Sequence, residues 1–191
     1  NKIHFSNGIG ELNQAIHRLK FDEHFFLQLL MALRKRSLQH SGSLPLPDIG
    51  PYFKLISETL DFELTDAQKK VIKEIHSDLK NPIPMNRLLQ GDVGSGKTIV
   101  SILISALAVG NNAQVAMMVP TEILATQHFH SFKSELEKVN IPCALLVGNM
   151  KKFDRSPILV GLENGKIPMV ILSCIHISEP TRLRRISYAV F

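Results

Sequence analysis

The sequence predicts an α/β fold, a parallel sheet with helices on both faces, preceded by a purely helical segment. Three observations carry this. From Arg87 to Leu172, short β-branched or apolar runs alternate with longer stretches whose apolar residues recur at helical spacing, the pattern of strands joined by helical crossovers. Each crossover is long enough to bring the chain back for parallel pairing. Before Asp61, only helical periods occur.

Taken in order, Glu11 to Lys20 places Leu12, Ile16 and Leu19 on one helical face. Asp22 is suited to cap a second helix, with Phe26, Leu29, Leu30 and Leu33 on its apolar stripe and Arg34, Lys35 and Arg36 where the dipole favours cations. The string SGSLPLPDIGP from Ser41 to Pro51 is turn and linker material, because its prolines cannot continue a helix. Tyr52 to Leu60 reads as a short helix. Thr65-Asp66-Ala67-Gln68 is a capping box, opening a helix with Ala67, Val71, Ile72, Ile75 and Leu79 inward that stops before Asn81-Pro82.

Arg87 to Gln90 is expected as a short buried strand, and Ile99 to Leu107 has helical spacing. Gly110-Asn111-Asn112 supplies a cap and turn. Gln114 to Val119 is the next strand, Glu122 to Val139 a helix burying Leu124, Phe132, Leu136 and Val139, and Cys143 to Val147 another strand. His128 shares the stripe of that helix and reads as a packed histidine rather than a ligand. Asp154 to Asn164 is a helix closed by Gly165, and Pro168 to Leu172 is a strand.

Between the strand at Arg87 and the helix at Ile99, the residues Gly91, Asp92, Val93, Gly94, Ser95, Gly96, Lys97 and Thr98 satisfy G-x-x-x-x-G-K-[ST]. Glycines at 91, 94 and 96 free the backbone to turn consecutive N–H groups inward around a phosphate, and the helix N-terminus that follows favours an anion. Lys97 would then set its ammonium against the β- and γ-phosphate oxygens of a nucleotide, and the Thr98 hydroxyl would ligate the bridging Mg²⁺.

Composition limits the alternatives. An apolar share of 45% and a charged share of 20% are those of a globular chain, and no apolar run reaches the length of a membrane span. With no leader pattern recognisable, a cytoplasmic protein with no membrane partner is expected. Cys143 and Cys174 are too far apart for a zinc or redox pair. The net charge of +5 draws on Arg182, Arg184 and Arg185 near the end and is otherwise thinly spread, so it does not by itself indicate nucleic acid.

The run FELTDAQKKVIKEIHSDLKNPIPMNRLLQGDVGSGKT, followed by VPTEILATQH, resembles the first motor domain of RecG-type helicases, ATP-dependent superfamily 2 enzymes that remodel branched DNA. ELNQAIHRLKFDEHFFLQLLMALRKR resembles the helical linker ahead of that motor. The fold implied is an incomplete RecA-like P-loop domain. Its organisation is a helical linker over 1–60, the N-terminal part of the ATP-binding domain over 61–172, and a tail over 173–191. Such a chain is an internal stretch of a longer protein. The transcription-repair coupling translocase is a close rival that differs at Asn86 and around Glu122 to Leu124.

By this resemblance Gln68 sits where such motors read the adenine edge, although capping alone also accounts for it. Phe62 is placed to pack on the base, or else in the core. Thr121 offers a hydroxyl to the DNA backbone, or else an N-cap. The implied partners are branched or duplex DNA and ATP, acting on a monomer.

Hydrolysis also needs a carboxylate pair at a later strand end, and no Asp-Glu pair follows Thr98. After Leu172 the chain reads SCIHISEPTRLRRISYAVF where the family has a Gly-Thr-His-Ala turn. The tail is therefore expected to be unstructured and outside the family, similar to translated adaptor sequence. These residues alone are expected to lack turnover, which leaves a nucleotide-binding module, or a different P-loop enzyme such as a small-molecule kinase, as the other classes.

Overall fold

A computed structural model describes residues 8–39, 42–173 and 186–190. The chain divides into two compact units, one formed by 1–44 with 82–84 and the other by 45–81 with 85–191. In the first, α1 (Ile9–Gln39) runs unbroken for 31 residues. The sequence predicted a break, with Asp22 as a cap. Asp22 instead lies inside the helix and pairs with Arg18 one turn earlier, Nε to Oδ1 3.0 Å. With neither Gly nor Pro between positions 11 and 39, nothing ends the helix there.

The second unit holds α2 (Gly50–Glu58), α3 (Asp66–Leu79), α4 (Lys97–Gly110), β1 (Gln114–Val119), α5 (Glu122–Glu137), β2 (Cys143–Leu146), α6 (Lys152–Glu163), β3 (Met169–Ser173) and β4 (Ile186–Val190). The strands form one sheet in the order β2-β3-β1-β4. All pairings are parallel, with Val115 opposite Met169 and Val119 opposite Ser173.

Alternation along the strands sorts the helices into layers. Val115, Met117, Val119, Met169 and Ile171 join the main core, which also takes Leu103 and Leu107 of α4 and Phe132 and Leu136 of α5. Ala116 and Val170 face the other way and pack with Leu162 and Ile158 of α6. Helices on both faces are thus imposed by strand residues of period two. Helix α4 is buried nearly all round, at nine of its 14 residues. Its end is fixed to the start of α2 by the Asn111 amide, which donates to the Asp48 carbonyl at 2.7 Å and accepts from the Asp48 N–H at 3.2 Å. Gly50, at φ +74°, sits so near Gly110 that a Cβ would lie 3.3 Å from its Cα.

Two expectations change. Arg87 to Gln90 is irregular rather than a strand, and Leu88 is 86% exposed. That run offers only two leucines, and Arg87 is taken up by side chains of α3. The tail over 173–191 was expected without order, yet Ser173 closes β3 and Ile186–Val190 pairs with β1. Its β-branched and aromatic residues suit a strand, and β1 accepts a partner on each edge. Cys174 and the arginines at 182, 184 and 185 lie outside the described residues.

Candidate nucleotide-binding site

The loop takes its shape from two glycines in the left-handed region, Gly94 at φ +82° and Gly96 at φ +80°. Gly96 is the N-cap of α4 and supplies no side-chain cap, so the first N–H groups of a 14-residue helix face the loop without a side-chain acceptor from their own cap. At Gly91 a Cβ would lie 2.7 Å from Ser95 Oγ, so a larger residue would make that hydroxyl turn away. The backbone turns where the Ser95 N–H donates to the Asp92 carbonyl at 3.2 Å. Val93 is fully exposed at the tip.

Lys97 curls back over this turn. Its ammonium donates to the carbonyls of Gly91 at 2.8 Å and Asp92 at 2.7 Å and lies 3.4 Å from Ser95 Oγ. One strong cation therefore sits inside a ring of backbone at a helix N-terminus, an arrangement that selects anions. Thr98 is half-buried on the first helical turn beside it.

Gln68 belongs to both readings made from the sequence. Its backbone N–H donates to Thr65 Oγ1 at 3.3 Å, and its Oε1 accepts from the Thr65 N–H at 2.9 Å, which completes the capping box. Its Nε2 also donates to the Ser95 carbonyl at 3.0 Å. Helix α3 is thereby joined to the phosphate loop. Phe62 is not in the core. It is 55% exposed and lines a cleft of about 710 Å³ with Phe53, Leu60, Leu64, Ile72 and Lys69, none of which belongs to the loop.

Thr121 follows β1. Helix α4, about 21 Å long, and β1, about 20 Å long, are joined by three residues and pack together, so the chain turns back and β1 returns it towards the rim where the loop lies. There Thr121 is the N-cap of α5, its Oγ1 accepting from the Leu124 N–H at 3.3 Å. Its own proton is left to donate.

Arg87 escaped the sequence reading. Its Nε and Nη2 donate to Asp78 Oδ2 at 2.9 and 2.7 Å, and its Nη1 donates to Glu74 Oε2 at 2.8 Å. The hydrogen bond to Asp78 raises the guanidinium pKa further, against desolvation and with help from both carboxylates. The signal was present, as Glu74 and Asp78 are one turn apart on α3 and the chain returns past two prolines.

Elsewhere partial burial lowers the pKa of His128. Burial pushes the Cys143 thiol up to about 12. No group of three or more potential metal ligands occurs among the described residues, and no helix among them is long and apolar enough to cross a membrane.

Comparison with known proteins agrees with this geometry. A family model for DEAD/DEAH box helicases matches residues 65–191, past the point at Ser173 where the sequence reading placed the end of the resemblance. The ATP-dependent DNA helicase RecG of Synechocystis sp. is 38% identical over 99% of this chain and 23% of its own length. That of Aquifex aeolicus is 36% identical over 96% of this chain and 23% of its own length. A solved structure of RecG bound to a three-way DNA junction superposes with a TM-score of 0.83 at 37% identity, covering 97% of this chain and 25% of that one. The chain thus spans about a quarter of the length of the relatives it matches. With the motif loop, the parallel sheet and the family match agreeing over the same residues, the chain belongs to the DEAD/DEAH box helicases.

Proposed function

We propose that this chain is the ATP-binding portion of the first motor lobe of a helicase that remodels branched DNA. The observation that carries the proposal is the loop Gly91 to Thr98, with the Lys97 ammonium held inside it at the N-terminus of α4. The cradle fits a polyphosphate. Gly94 and Gly96 hold the positive φ that shapes its turn, and its cation and N–H groups suit the β- and γ-oxygens. The relatives named for RecG, one of them seen on a three-way junction, supply the choice of DNA substrate.

In this reading Lys97 neutralises the β- and γ-oxygens and Thr98 holds Mg²⁺. When bound, the ion spreads phosphate charge and orients the terminal group. Gln68, already fixed to Thr65 and Ser95, ties the nucleotide loop to α3 and reads the adenine edge, with Phe62 packing against the base. Thr121 donates its hydroxyl to a DNA phosphate from the same rim of the sheet, so nucleotide and DNA sites share one edge. The protein works in the cytoplasm as a monomer. No Asp-Glu pair follows Thr98, so these residues bind nucleotide without turning it over by themselves.

The test is a titration of the folded chain with a fluorescent Mg·ATP analogue. Saturable binding is expected, and Lys97→Ala should abolish it while leaving the far-UV circular dichroism unchanged. Binding that survives loss of that amine would refute the assignment of the loop.

A further inference from the structure

We infer that α3 braces the phosphate loop at two points, and that Arg87 is a positioning residue for ATP binding through the second of them. This rests on the ATP-binding reading of the loop given above. The first point is the Gln68 amide on the Ser95 carbonyl, at 3.0 Å. The second is the Arg87 guanidinium, spread over Asp78 and Glu74 through three hydrogen bonds of 2.7 to 2.9 Å. Between them, the backbone from Leu88 to Gly96 belongs to no helix or strand.

A segment without ladder or helical bonds is placed by its end fixings and by whatever side chains it buries. Here burial gives little, because Leu88 is 86% and Val93 103% exposed and only Leu89 packs on the core. The side-chain anchors therefore carry more of the task than they would in a strand. Arg87 suits the position better than lysine would. Its planar fork engages two acceptors one helical turn apart, and this fixes orientation as well as distance. Acting as a pair, the anchors hold the entrance of the loop (Arg87) and its last turn (Ser95) against one rigid helix. A phosphate cradle gains affinity from being held in shape before its ligand arrives.

Backbone nitrogen relaxation by NMR and nucleotide binding, measured on the same full chain, test the brace separately from the ATP reading. In the nucleotide-free chain, Arg87→Ala should lower the backbone order parameters of 88–96 while those of β1 and β3 stay the same. In the titration with the fluorescent Mg·ATP analogue, it should raise the Kd about tenfold, the scale of two lost ion pairs and of looser geometry. Arg87→Lys keeps the charge but loses the fork and should fall between, at about threefold. Order parameters at 88–96 equal to wild type, or lowered equally over the whole chain, would overturn the brace even if the chain binds no ATP. Wild-type affinity in both variants would overturn the role in binding. Failure of the unaltered chain to bind ATP would sink the functional reading alone, with the relaxation data still deciding the brace.

Discussion

A single methyl group at position 96 is a sharp probe of the site. Gly96 holds φ +80°, and a Cβ there would run into Gln68 Nε2. That amide is the end of a flexible side chain and can move aside, but only by giving up the Ser95 carbonyl. Gly96→Ala should cost about 1 kcal/mol for the left-handed backbone, read by urea denaturation, and should weaken Mg·ATP binding by more than that loss of stability explains. Cys143 gives a pH prediction. Its thiol is raised by burial from an ordinary value of 9.0 to about 12, so the folded chain holds the proton more tightly than the unfolded one. The stability this contributes is complete below pH 9 and is lost as pH rises towards 12. Native alkylation of the Cys143 peptide at pH 8, followed by mass spectrometry, should be slow and become fast in denaturant. At this scale the motif residues were legible because their chemistry is local. The bond from Gln68 to Ser95 was not, since it joins positions 27 apart in sequence.

Among the elements, α3 was read best, because a capping box announces itself within four residues and the structure forms both of its bonds. Thr65→Ala should lower stability by about 1 kcal/mol, measured by thermal or urea unfolding. Asp22 shows why α1 was misread: an aspartate before an apolar run looks the same whether it caps a helix or serves as the lower half of an i,i+4 ion pair. Arg87 to Gln90 shows the other limit. A strand is defined by its partner, and no local pattern states whether a partner is present. The same holds in reverse for Ile186–Val190, whose place is set by the open side of β1 rather than by its neighbours in sequence.

For the molecule as a whole, the two cores divide the labour. The larger joins α2, α3, α4 and α5 to one face of the sheet, and Phe132 is buried completely within it. Phe132→Ala should remove about 3 to 5 kcal/mol, seen as a large drop in the denaturation midpoint; a small change would mean that α5 is not seated as described. The fold class was legible because alternation and crossover length are properties of sequence, whereas strand order was not. The placing of β3 between β2 and β1 follows from which apolar faces close together.

That order has a consequence for the growing chain on the ribosome. Helix α4 is apolar on nearly every side and is made before β1, yet the middle of the sheet is finished only when Met169 to Ser173 reach Val115 to Val119, about fifty residues later. At typical translation speeds this is a wait of roughly 3 to 10 seconds, during which the core that α4 shares with α5 and the sheet still lacks Met169 and Ile171. A trigger-factor-like holdase should therefore crosslink to nascent chains that end between β1 and β3 and release those in which β3 has emerged.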